Sequence, residues 1–489
     1  MPTEPSSPQR SIAASTALAT LLACVVLLPL LGHKPLAEWD EGIYAEVSRE
    51  MLGGSWLVPH WNSHLWLEKP PLMLWITAAF FKLFGVTEFW ARAGSTFSGI
   101  AIVGLLHSWL ARTRDLLSAW LSSIILLATF GFLHICHVGE MDTLLSLGAV
   151  LALIGLSQIE AEDCNGWYLF WIGLAIAVMT KGAASVTIPL TAFLVAILQR
   201  WKLQQFGTPF VLGSGVFVAA VLPWHWQMFT RFGHEFLAQY LGLHVIARAT
   251  QQIEGHTTHW WFYGIVLLAS APPFVLLYPA AVYRGFRRPI FQPWALFSIV
   301  TIAFFTVIQT RLPHYIAPAY PALAVLTAVY IADWLKTHTT KPTLIRPALI
   351  VAAIWAISIL ATHSTLKSLH SADLAGPNLL DNREADALLK SAPLPDTPGP
   401  LLYLRDGRVQ SIATVVFYAQ RPVQQVTLTP SNGPRDLYMF DPELLTEAVT
   451  ADPRLILLDK SLIPELPPTL TYTPIRSYAT EELGTLTRP

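Results

Sequence analysis

Charged residues are scarce in this sequence of 489 residues. Lys, Arg, Asp and Glu together make up 13% of it, whereas 53% of the residues are hydrophobic. An ordinary soluble domain carries roughly 25% charged residues. The composition therefore excludes an ordinary soluble protein and indicates a membrane protein.

The chain also lacks an excess of either charge. Lys and Arg total 31 and Asp and Glu total 32, so no global charge favours nucleic acid as a partner. Cysteine is rare too, and Cys24, Cys136 and Cys164 are too few to pair completely, so no disulfide framework is predicted. No repeat of fixed period and no matching pair of interrupted helices stands out, which counts against a transporter.

Long apolar runs are what the chain has instead. A helix needs about 20 residues to cross the hydrocarbon core, and eleven runs are near that length: 12–32, 89–111, 117–136, 143–159, 167–180, 183–199, 208–225, 260–280, 293–308, 316–334 and 347–363. The first could be a signal peptide, but no cleavage site precedes a polar start, so we expect an uncleaved anchor. The apolar stretch 70–84 is not counted, because it is short and opens with two prolines that suit a helix start at the interface.

Lys and Arg in the short loops predict the orientation. With the N-terminus in the cytoplasm, every cytoplasmic loop except the acidic loop 160–165 carries basic residues. The odd number of spans then places the tail outside. We expect a transmembrane domain at 1–363, with a large first external loop at 33–88, and an external α/β domain at 364–489. Three strand-like segments support the second domain: "GPLLYL", "ATVVFYA" and "RLILLD".

An acidic stretch, "EWDEGIYAEVSREM" at 38–51, follows the first apolar run. Three apolar residues recur there at helical spacing: Ile43, Val47 and Met51. The spacing predicts an amphipathic helix on the membrane surface, with Glu46 and Glu50 facing water. It does not account for Asp40 and Glu41 at the start of that helix, where Asp40 is either an N-terminal cap or a functional acid.

Two lysines stand next to predicted helix starts. Lys69, in "WLEKPPL", precedes a helix N-terminus whose unpaired amides would hold a phosphate; alternatively it pairs with Glu68 at the interface. Lys181, in "MTKGAAS", offers the same chemistry, since Gly182 lets the backbone approach a ligand. The alternative for Lys181 is an interface lysine whose ammonium group reaches water.

Three further polar groups reach the same external face in this topology. Asp142 in "HVGEMDTLLS" is either a helix cap or a functional acid, and Arg311 lies in "QTRLPHY". His225 in "LPWHWQ" is an interface histidine or, together with Glu68, a ligand of a divalent metal ion.

Six segments across residues 39–324 resemble a known family: "WDEGIYAEVSREML", "WLEKPPLMLWITAAFFKLFG", "EFWAR", "MDTLL", "TKG" and "RLPHYIAPAYPALA". In this order they resemble the bacterial polyprenyl-phosphate-sugar-dependent glycosyltransferases, the aminoarabinose lipid A transferases and their relatives, which are distantly similar to protein O-mannosyltransferases. The resemblance implies an all-α polytopic fold of the GT-C type, with the α/β tail attached. It also implies sugar transfer from a lipid-phosphate carrier at the external face of the inner membrane, to a lipid, glycan or protein acceptor.

The resemblance also implies residue roles. Asp40 matches the family's first-loop catalytic aspartate and Asp142 a second functional aspartate; Glu41 stands beside Asp40 in the Asp-Glu motif. Asp40 would act as a general base on the acceptor, which contributes about 10²–10⁴-fold, in a single displacement that inverts the anomeric centre.

Lys69 matches a lysine near the donor phosphate, and Lys181 and Arg311 would assist it. Glu68 and His225 match a metal-associated pair, so a divalent ion is the expected cofactor if there is one.

One departure limits the resemblance. Ile43 stands where aminoarabinose transferases carry an arginine, in "DEGIYAE" against "DETRYAE". The resemblance thus indicates the broad family and leaves the sugar and the acceptor open. Two other classes remain as alternatives: a transporter or lipid flippase whose gate holds the same charges, and an assembly protein whose tail docks a partner.

Overall fold

A computed structural model of the chain describes residues 7–250, 259–338, 382–404, 411–429, 443–449 and 453–488. The chain divides into two compact units. The first unit contains 1–31, 67–76 and 92–370, and the second contains 32–66, 77–91 and 371–489. The predicted domain boundary at 363/364 lies outside the described residues and stays a prediction. The grouping of 32–66 and 77–91 with the tail was not expected from the sequence.

Helices dominate the chain up to residue 338. In chain order they are α1 (Ser7–Leu27), α2 (Asp40–Glu50), α3 (Leu72–Phe84), α4 (Glu88–Thr113), α5 (Leu116–Leu127), α6 (Phe130–His137), α7 (Asp142–Glu160), α8 (Gly166–Lys181), α9 (Thr187–Leu198), α10 (Thr208–Leu237), α11 (Arg248–Thr250), α12 (Phe262–Ser270), α13 (Tyr278–Phe286), α14 (Gln292–Val307) and α15 (Ala319–His338). A π-helix, Ala238–Ala247, follows α10. A 3-10 turn, Gly182–Val186, joins α8 to α9.

Six helical stretches of the described residues are long and apolar enough to cross a membrane: Gln9–Leu27, Glu88–Thr113, Asp142–Glu160, Gly166–Leu198, Thr208–Gly242 and Pro289–Val307. Two bent pairs also qualify, α5 with α6 at 65° and α12 with the helical segment Phe274–Phe286 at 120°. The fold is therefore that of a multi-pass membrane protein.

The predicted count of eleven spans is not confirmed. The runs 167–180 and 183–199 form one stretch, Gly166–Leu198, and the run 316–334 forms α15, which is not one of these six stretches. The run 347–363 lies outside the described residues. The short apolar helix α3 begins directly after the two prolines, as predicted.

Glycines let α7 and α8 of the first unit approach closely. A Cβ atom on Gly148 would lie 2.6 Å from the carbonyl oxygen of Gly173, and one on Gly155 would lie 2.3 Å from the carbonyl oxygen of Gly166. Such backbone contact between helices is typical of small residues in membrane proteins. Because the pairs run in opposite directions along the chain, the two helices are antiparallel, and the start of α7 lies beside the end of α8.

The carboxyl-terminal part of the second unit is built on one sheet. Its strands are β3 (Leu401–Leu404), β4 (Val423–Thr427), β5 (Glu443–Leu444), β6 (Arg454–Asp459), β7 (Thr471–Tyr478) and β8 (Glu481–Thr487), and a separate small hairpin pairs β1 (His60–Trp61) with β2 (His64–Leu65). The sheet order is β5-β4-β3-β6-β8-β7. Strand β3 is parallel to β4 and β6, whereas β8 is antiparallel to β6 and β7. The predicted α/β tail is thus confirmed.

Short helices complete this unit: α16 (Arg383–Ser391), α17 (Ala413–Ala419) and α18 (Leu445–Ala448). The strand predicted at "ATVVFYA" is wrong, because this segment forms α17. Its residues are almost all buried, and a short apolar run has no periodicity that separates a buried strand from a buried helix.

The prediction for α2 is only partly right. The helix forms, but residues 41–48 are all buried, so Glu46 does not face water, whereas Glu50 is partly exposed. Glu46 is 0% exposed, and Arg49 donates two hydrogen bonds to its carboxylate at 2.6 and 2.7 Å. The Arg49 guanidinium group therefore provides the hydrogen bonds to Glu46 that the amphipathic pattern predicted from water.

Candidate active site

A cavity of about 620 Å³ lies in the first unit. Four of the predicted site residues line it: Glu68, Lys69, Asp142 and Lys181. Two tyrosines, Tyr240 and Tyr315, add hydroxyl groups, and the remaining lining is apolar: Leu145, Ala183, Ala184, Leu190, Ala249, Ile299, Val300, Ala303, Phe304, Phe305, Val307 and Ile308. The cavity therefore combines charged groups with an apolar wall, as a ligand with a polar head and a hydrocarbon chain requires.

Asp142 and Lys181 form an ion pair in this cavity. Lys181 Nζ lies 2.8 Å from both carboxylate oxygens of Asp142, and the side chains are only 9% and 2% exposed. The ammonium group also lies 5.4 Å from the ring centroid of Tyr315, within the range of a cation–π contact. The pair follows from the antiparallel packing of α7 on α8, since Asp142 begins α7 and Lys181 ends α8.

Gly182 turns the chain directly after Lys181. Its φ of +52° is one that other residues rarely adopt, and an added Cβ would lie 2.3 Å from the hydroxyl of Tyr240. The same hydroxyl lies 3.2 Å from His225 Nε2, while His225 Nδ1 lies 2.9 Å from the carbonyl oxygen of Val221. His225 thus contacts a cavity tyrosine but does not line the cavity itself.

A hydrogen bond joins the segment that carries Glu68 and Lys69 to the π-helix. The backbone N–H of Leu67 donates to Gln239 Oε1 at 3.0 Å, next to Tyr240. This bond joins two segments that are far apart in the chain and that both line the cavity, through Glu68 and Lys69 on one and Tyr240 on the other.

Among the described residues, one group of three side chains has the composition and closeness of a metal site. Glu140, Asp142 and His314 each bring a ligand atom within 4.8 Å of the other two. Two carboxylates and an imidazole are donors that divalent ions accept, so this set fits a metal ion. Lys181 already neutralises Asp142, however, and would compete with an ion for its oxygens. The predicted pair, Glu68 with His225, is not part of this group and stays a prediction.

Arg311 is buried but is not among the residues that line the cavity. Its Nε and Nη2 donate to the carbonyl oxygen of Thr306 at 3.1 and 2.5 Å. Its Nη1 is buried and donates no hydrogen bond within the described part of the chain. Its predicted role at the donor phosphate stays a prediction.

Asp40 and Glu41 belong to the second unit. Asp40 is the first residue of α2 and is partly exposed. Glu41 is 1% exposed, and its Oε2 accepts a hydrogen bond from the backbone N–H of Ala37 at 2.6 Å. Glu41 therefore holds the turn before α2, and a direct catalytic role for it stays a prediction.

Sequence reasoning missed Tyr240, Tyr315 and His314 as members of the site. The motif "RLPHYIAPAYPALA" contained the last two, but neither an aromatic ring nor a histidine next to an apolar run distinguishes a site from an interface belt. Only the fold brings Tyr315 to Lys181 and His314 to Glu140, whose Oε2 lies 3.7 Å from His314 Nδ1.

The fold is that of a GT-C type membrane protein. Crystal structures of ArnT from Cupriavidus metallidurans match the chain with a TM-score of 0.74 when bound to undecaprenyl phosphate and 0.76 in the apo state. Both matches cover 97% of this chain and 98% of that one at 19% sequence identity. This likeness establishes the GT-C fold with its carboxyl-terminal sheet.

Relatives known by name are similar over part of their length. An undecaprenyl phosphate-alpha-4-amino-4-deoxy-L-arabinose arabinosyl transferase from Serratia proteamaculans is 30% identical over 339 residues, which is 66% of this chain and 60% of that protein. The same-named protein from Erwinia tasmaniensis is 30% identical over 321 residues, 63% of this chain and 57% of its own. The chain therefore spans about three fifths of the length of these relatives.

Residues 68–226 also match the family described as dolichyl-phosphate-mannose-protein mannosyltransferase. The matches include both branches that the sequence motifs pointed to, the aminoarabinose transferases and, more distantly, the mannosyltransferases. The predicted resemblance is confirmed.

Proposed function

We propose that this chain is an integral-membrane glycosyltransferase that transfers a sugar from a polyprenyl-phosphate-linked donor to an acceptor of the cell envelope. The observation that carries the proposal is the cavity, in which Lys69 and Lys181 lie beside an apolar wall. Cations suit a phosphate and the apolar wall suits an isoprenoid chain. The names of the relatives, which contain undecaprenyl phosphate, support the same donor class.

In the proposed reaction an acceptor hydroxyl oxygen attacks the anomeric carbon of the donor. The bond from that carbon to the phosphate oxygen breaks, the polyprenyl phosphate leaves with the electron pair, and the hydroxyl proton passes to Asp40. Lys69 would stabilise the charge that develops on the departing phosphate, which is the kind of help that often supplies several kcal/mol of barrier. A single displacement of this kind inverts the anomeric centre.

Asp142 and Lys181 act together in this proposal. The carboxylate holds the ammonium group in place at the cavity, so that the lysine meets the donor phosphate with little loss of side-chain freedom. A divalent ion, if bound at Glu140, Asp142 and His314, would supply Lewis-acid stabilisation of the phosphate.

The sugar remains the open part of the substrate. Ile43 stands where the aminoarabinose transferases carry an arginine, so a donor other than aminoarabinose is a natural second candidate. We expect transfer assays with several undecaprenyl-phosphate-linked pentoses and hexoses to identify it.

The experiment that tests the proposal is transfer from a radiolabelled polyprenyl-phosphate sugar in reconstituted vesicles that contain an envelope lipid extract. Asp40→Asn should lower turnover by about 10²-fold or more, and Lys69→Ala by about 10²–10³-fold. Lys82→Ala is the matched control, because Lys82 is exposed and lies outside the cavity. Near-normal turnover by Asp40→Asn or Lys69→Ala would remove that residue from its role.

The same vesicles separate the enzyme from a transporter or flippase. A transporter would move the labelled lipid from one leaflet to the other and leave its sugar–phosphate bond intact. A glycosyltransferase breaks that bond, which thin-layer chromatography of the labelled lipid detects.

We further propose the inner membrane as the location, with the N-terminus in the cytoplasm and the tail outside. The basic loops support this orientation. In a cysteine-free variant, a cysteine at the exposed position Glu447 should react with an impermeant maleimide in spheroplasts. A cysteine at the exposed position Arg287 should react only after permeabilisation; the reverse pattern would invert the topology.

A further inference from the structure

The segment that leads into α2 is held by the carboxyl-terminal part of the second unit. Glu38 Oε1 accepts a hydrogen bond from Asn382 Nδ2 at 2.6 Å and another from the hydroxyl of Thr414. Asn382 is 1% exposed and is itself fixed, since it donates to the carbonyl oxygen of Ser411 and accepts from the hydroxyl of Tyr403, both at 2.9 Å. One carboxylate oxygen of the loop therefore accepts hydrogen bonds from two buried side chains of the tail.

This contact is not simple packing. The other carboxylate oxygen of Glu38, Oε2, is buried and accepts no hydrogen bond within the described part of the chain. Burial raises the pKa of Glu38 above its usual range, against the hydrogen bonds from Thr414, Ser411 and Asn382 that lower it. A buried carboxyl group costs free energy that an apolar side chain would not, so the directional bonds are what distinguish glutamate at this position.

The backbone between Glu38 and Asp40 has an unusual conformation. Trp39 has φ of +68° and ψ of −126°, which residues other than glycine rarely adopt. Such a conformation persists only where the surrounding structure fixes it. On its carboxyl-terminal side, the carbonyl oxygen of Trp39 accepts the first helical bond from Ile43 N–H at 2.8 Å. On its amino-terminal side, the chain is fixed by Glu38 and by two hydrogen bonds of Ala37, whose N–H donates to Glu41 Oε2 and whose carbonyl oxygen accepts from Gly42 N–H.

Helix α17 also packs directly on the first turn of α2. A Cβ on Gly42 would lie 3.0 Å from the Cβ of Ala413, so no larger residue fits there without a shift of one helix. Before the turn, the backbone N–H of Leu36 donates to the hydroxyl of Tyr418 at 2.9 Å. The tail therefore contacts the chain on both sides of Asp40.

We propose that Glu38 is a positioning residue that fixes Asp40, with α16 and α17 of the tail as the scaffold. The inference rests on the proposed function, in which Asp40 is the base. A general base has to lie within hydrogen-bond reach of the proton that it accepts, and a displacement of about 1 Å can lower a rate about 10²-fold. The tail thereby gains a part in the chemistry without contributing a group that touches the substrate.

The test measures kcat and KM for the donor in the vesicle assay. Glu38→Ala removes the acceptor for both tail side chains, and we expect kcat to fall about 10- to 100-fold while KM changes little, because the donor site is untouched. Glu38→Gln keeps a carbonyl oxygen at Oε1 and should retain kcat within about threefold of the wild type, since both donors still find an acceptor. Rescue by glutamine separates positioning from a role that needs the charge.

Asn62→Ala is the matched control. Asn62 Nδ2 donates to the carbonyl oxygen of Val423, and Val423 N–H donates back to Oδ1, both at 2.8 Å. The variant therefore loosens another contact between the early chain and the tail, within the same unit but away from the turn before α2. It should lower the melting temperature and leave kcat of the folded protein unchanged.

The outcomes are distinguishable. Full activity of Asp40→Asn overturns the proposed function itself. Loss of activity in Asp40→Asn, together with normal kcat in folded Glu38→Ala, overturns the positioning role alone, as does an equal loss of kcat in Asn62→Ala. Should Glu38→Ala fail to accumulate, Asn382→Ala decides in the same way, since it removes one of the two donors and leaves Glu38 in place.

Discussion

Lys181 Nζ lies at equal distances, 2.8 Å, from the two carboxylate oxygens of Asp142. The pair joins the end of α8 to the start of α7, and both side chains are nearly enclosed. Removal of one member of a buried pair leaves the charge of the other without compensation. Any loss of activity in a single variant therefore mixes stability with chemistry, and the two have to be separated.

A double-mutant cycle separates them. Asp142→Asn takes the carboxylate charge away from the ammonium group and should destabilise the protein by about 3–5 kcal/mol. The double variant Asp142→Asn/Lys181→Met should cost less than the sum of the two single changes. Thermal unfolding in detergent measures all three.

The pair of Lys336 and Asp115, whose side chains are 52% and 24% exposed, is the control for this cycle. Its coupling should lie within about 0–1 kcal/mol, as for surface pairs in general. Equal coupling in the two cycles would mean that burial adds nothing to the Asp142–Lys181 pair.

Gly182→Ala should disturb the cavity. The substitution forces a side chain onto a positive φ, which costs about 1–3 kcal/mol, and it places a methyl group 2.3 Å from the hydroxyl of Tyr240. We expect a lower melting temperature and weaker binding of undecaprenyl phosphate by native mass spectrometry. Gly215→Ala serves as the control, because nothing lies within 4 Å of its Cβ position and alanine favours its helix. A tolerated Gly182→Ala would show that the turn after Lys181 is not constrained.

Gly148→Val should push α7 away from α8. Its Cβ would lie 2.6 Å from a backbone carbonyl oxygen and 2.9 Å from the backbone nitrogen of Ala177, and neither can move without the helix. Overpacking of this kind costs about 1–3 kcal/mol and should weaken the binding of undecaprenyl phosphate, because Lys181 loses its position. Gly264→Val is the control, because no neighbouring atom lies within 4 Å of the Cβ position at Gly264. It should have a small effect on the melting temperature and on the binding of undecaprenyl phosphate. Comparable losses at the two sites would argue against close packing as the cause.

Glu46 makes the stability of the protein depend on pH. Burial raises its pKa from the ordinary 4.5 to about 7, although Arg49 lowers it. Because the folded state holds the proton more tightly than the unfolded chain, the stabilisation is complete below pH 4.5 and is lost as the pH rises through about 7. The free energy of unfolding that is lost over this pH range amounts to about 3 kcal/mol.

Glu46→Gln removes this titration, so the melting temperature of the wild type should fall relative to the variant between pH 5 and pH 8. The exposed Glu447 lies in the same unit and is the control. In Glu447→Gln, the change in melting temperature from pH 5 to pH 8 should equal that of the wild type. Parallel curves for the wild type and Glu46→Gln would contradict the raised pKa.

The sequence predicted those parts of the molecule that depend on local pattern. The apolar runs correspond to helices such as α4, α7 and α14, and the prolines at the start of α3 marked its first turn correctly. The same kind of reasoning could not predict bends, because the 65° angle between α5 and α6 falls within one apolar run, 117–136, that contains no proline. It also gave no means to decide whether α2 faces lipid or protein.

The site was predicted in part for a similar reason. Motifs identified Lys69, Asp142 and Lys181, which the fold does bring to one cavity, but charge and spacing alone did not reveal that the last two neutralise each other. Tyr240 carried no signal, because its contacts with Gly182 and His225 join residues that are distant in the chain. Residues whose roles depend on distant partners require the fold.

The second unit has a consequence for the order of synthesis. Asn62 and Val423, which bond in both directions, are separated by 361 residues in the chain, and a ribosome that adds about 5–20 residues per second needs about 20–70 s to make the intervening stretch. During that interval the segments 32–66 and 77–91 have left the ribosome while their sheet does not yet exist. Strand β8, which lies between β6 and β7, comes later still, so these early segments cannot reach their final contacts until almost the whole chain has been made.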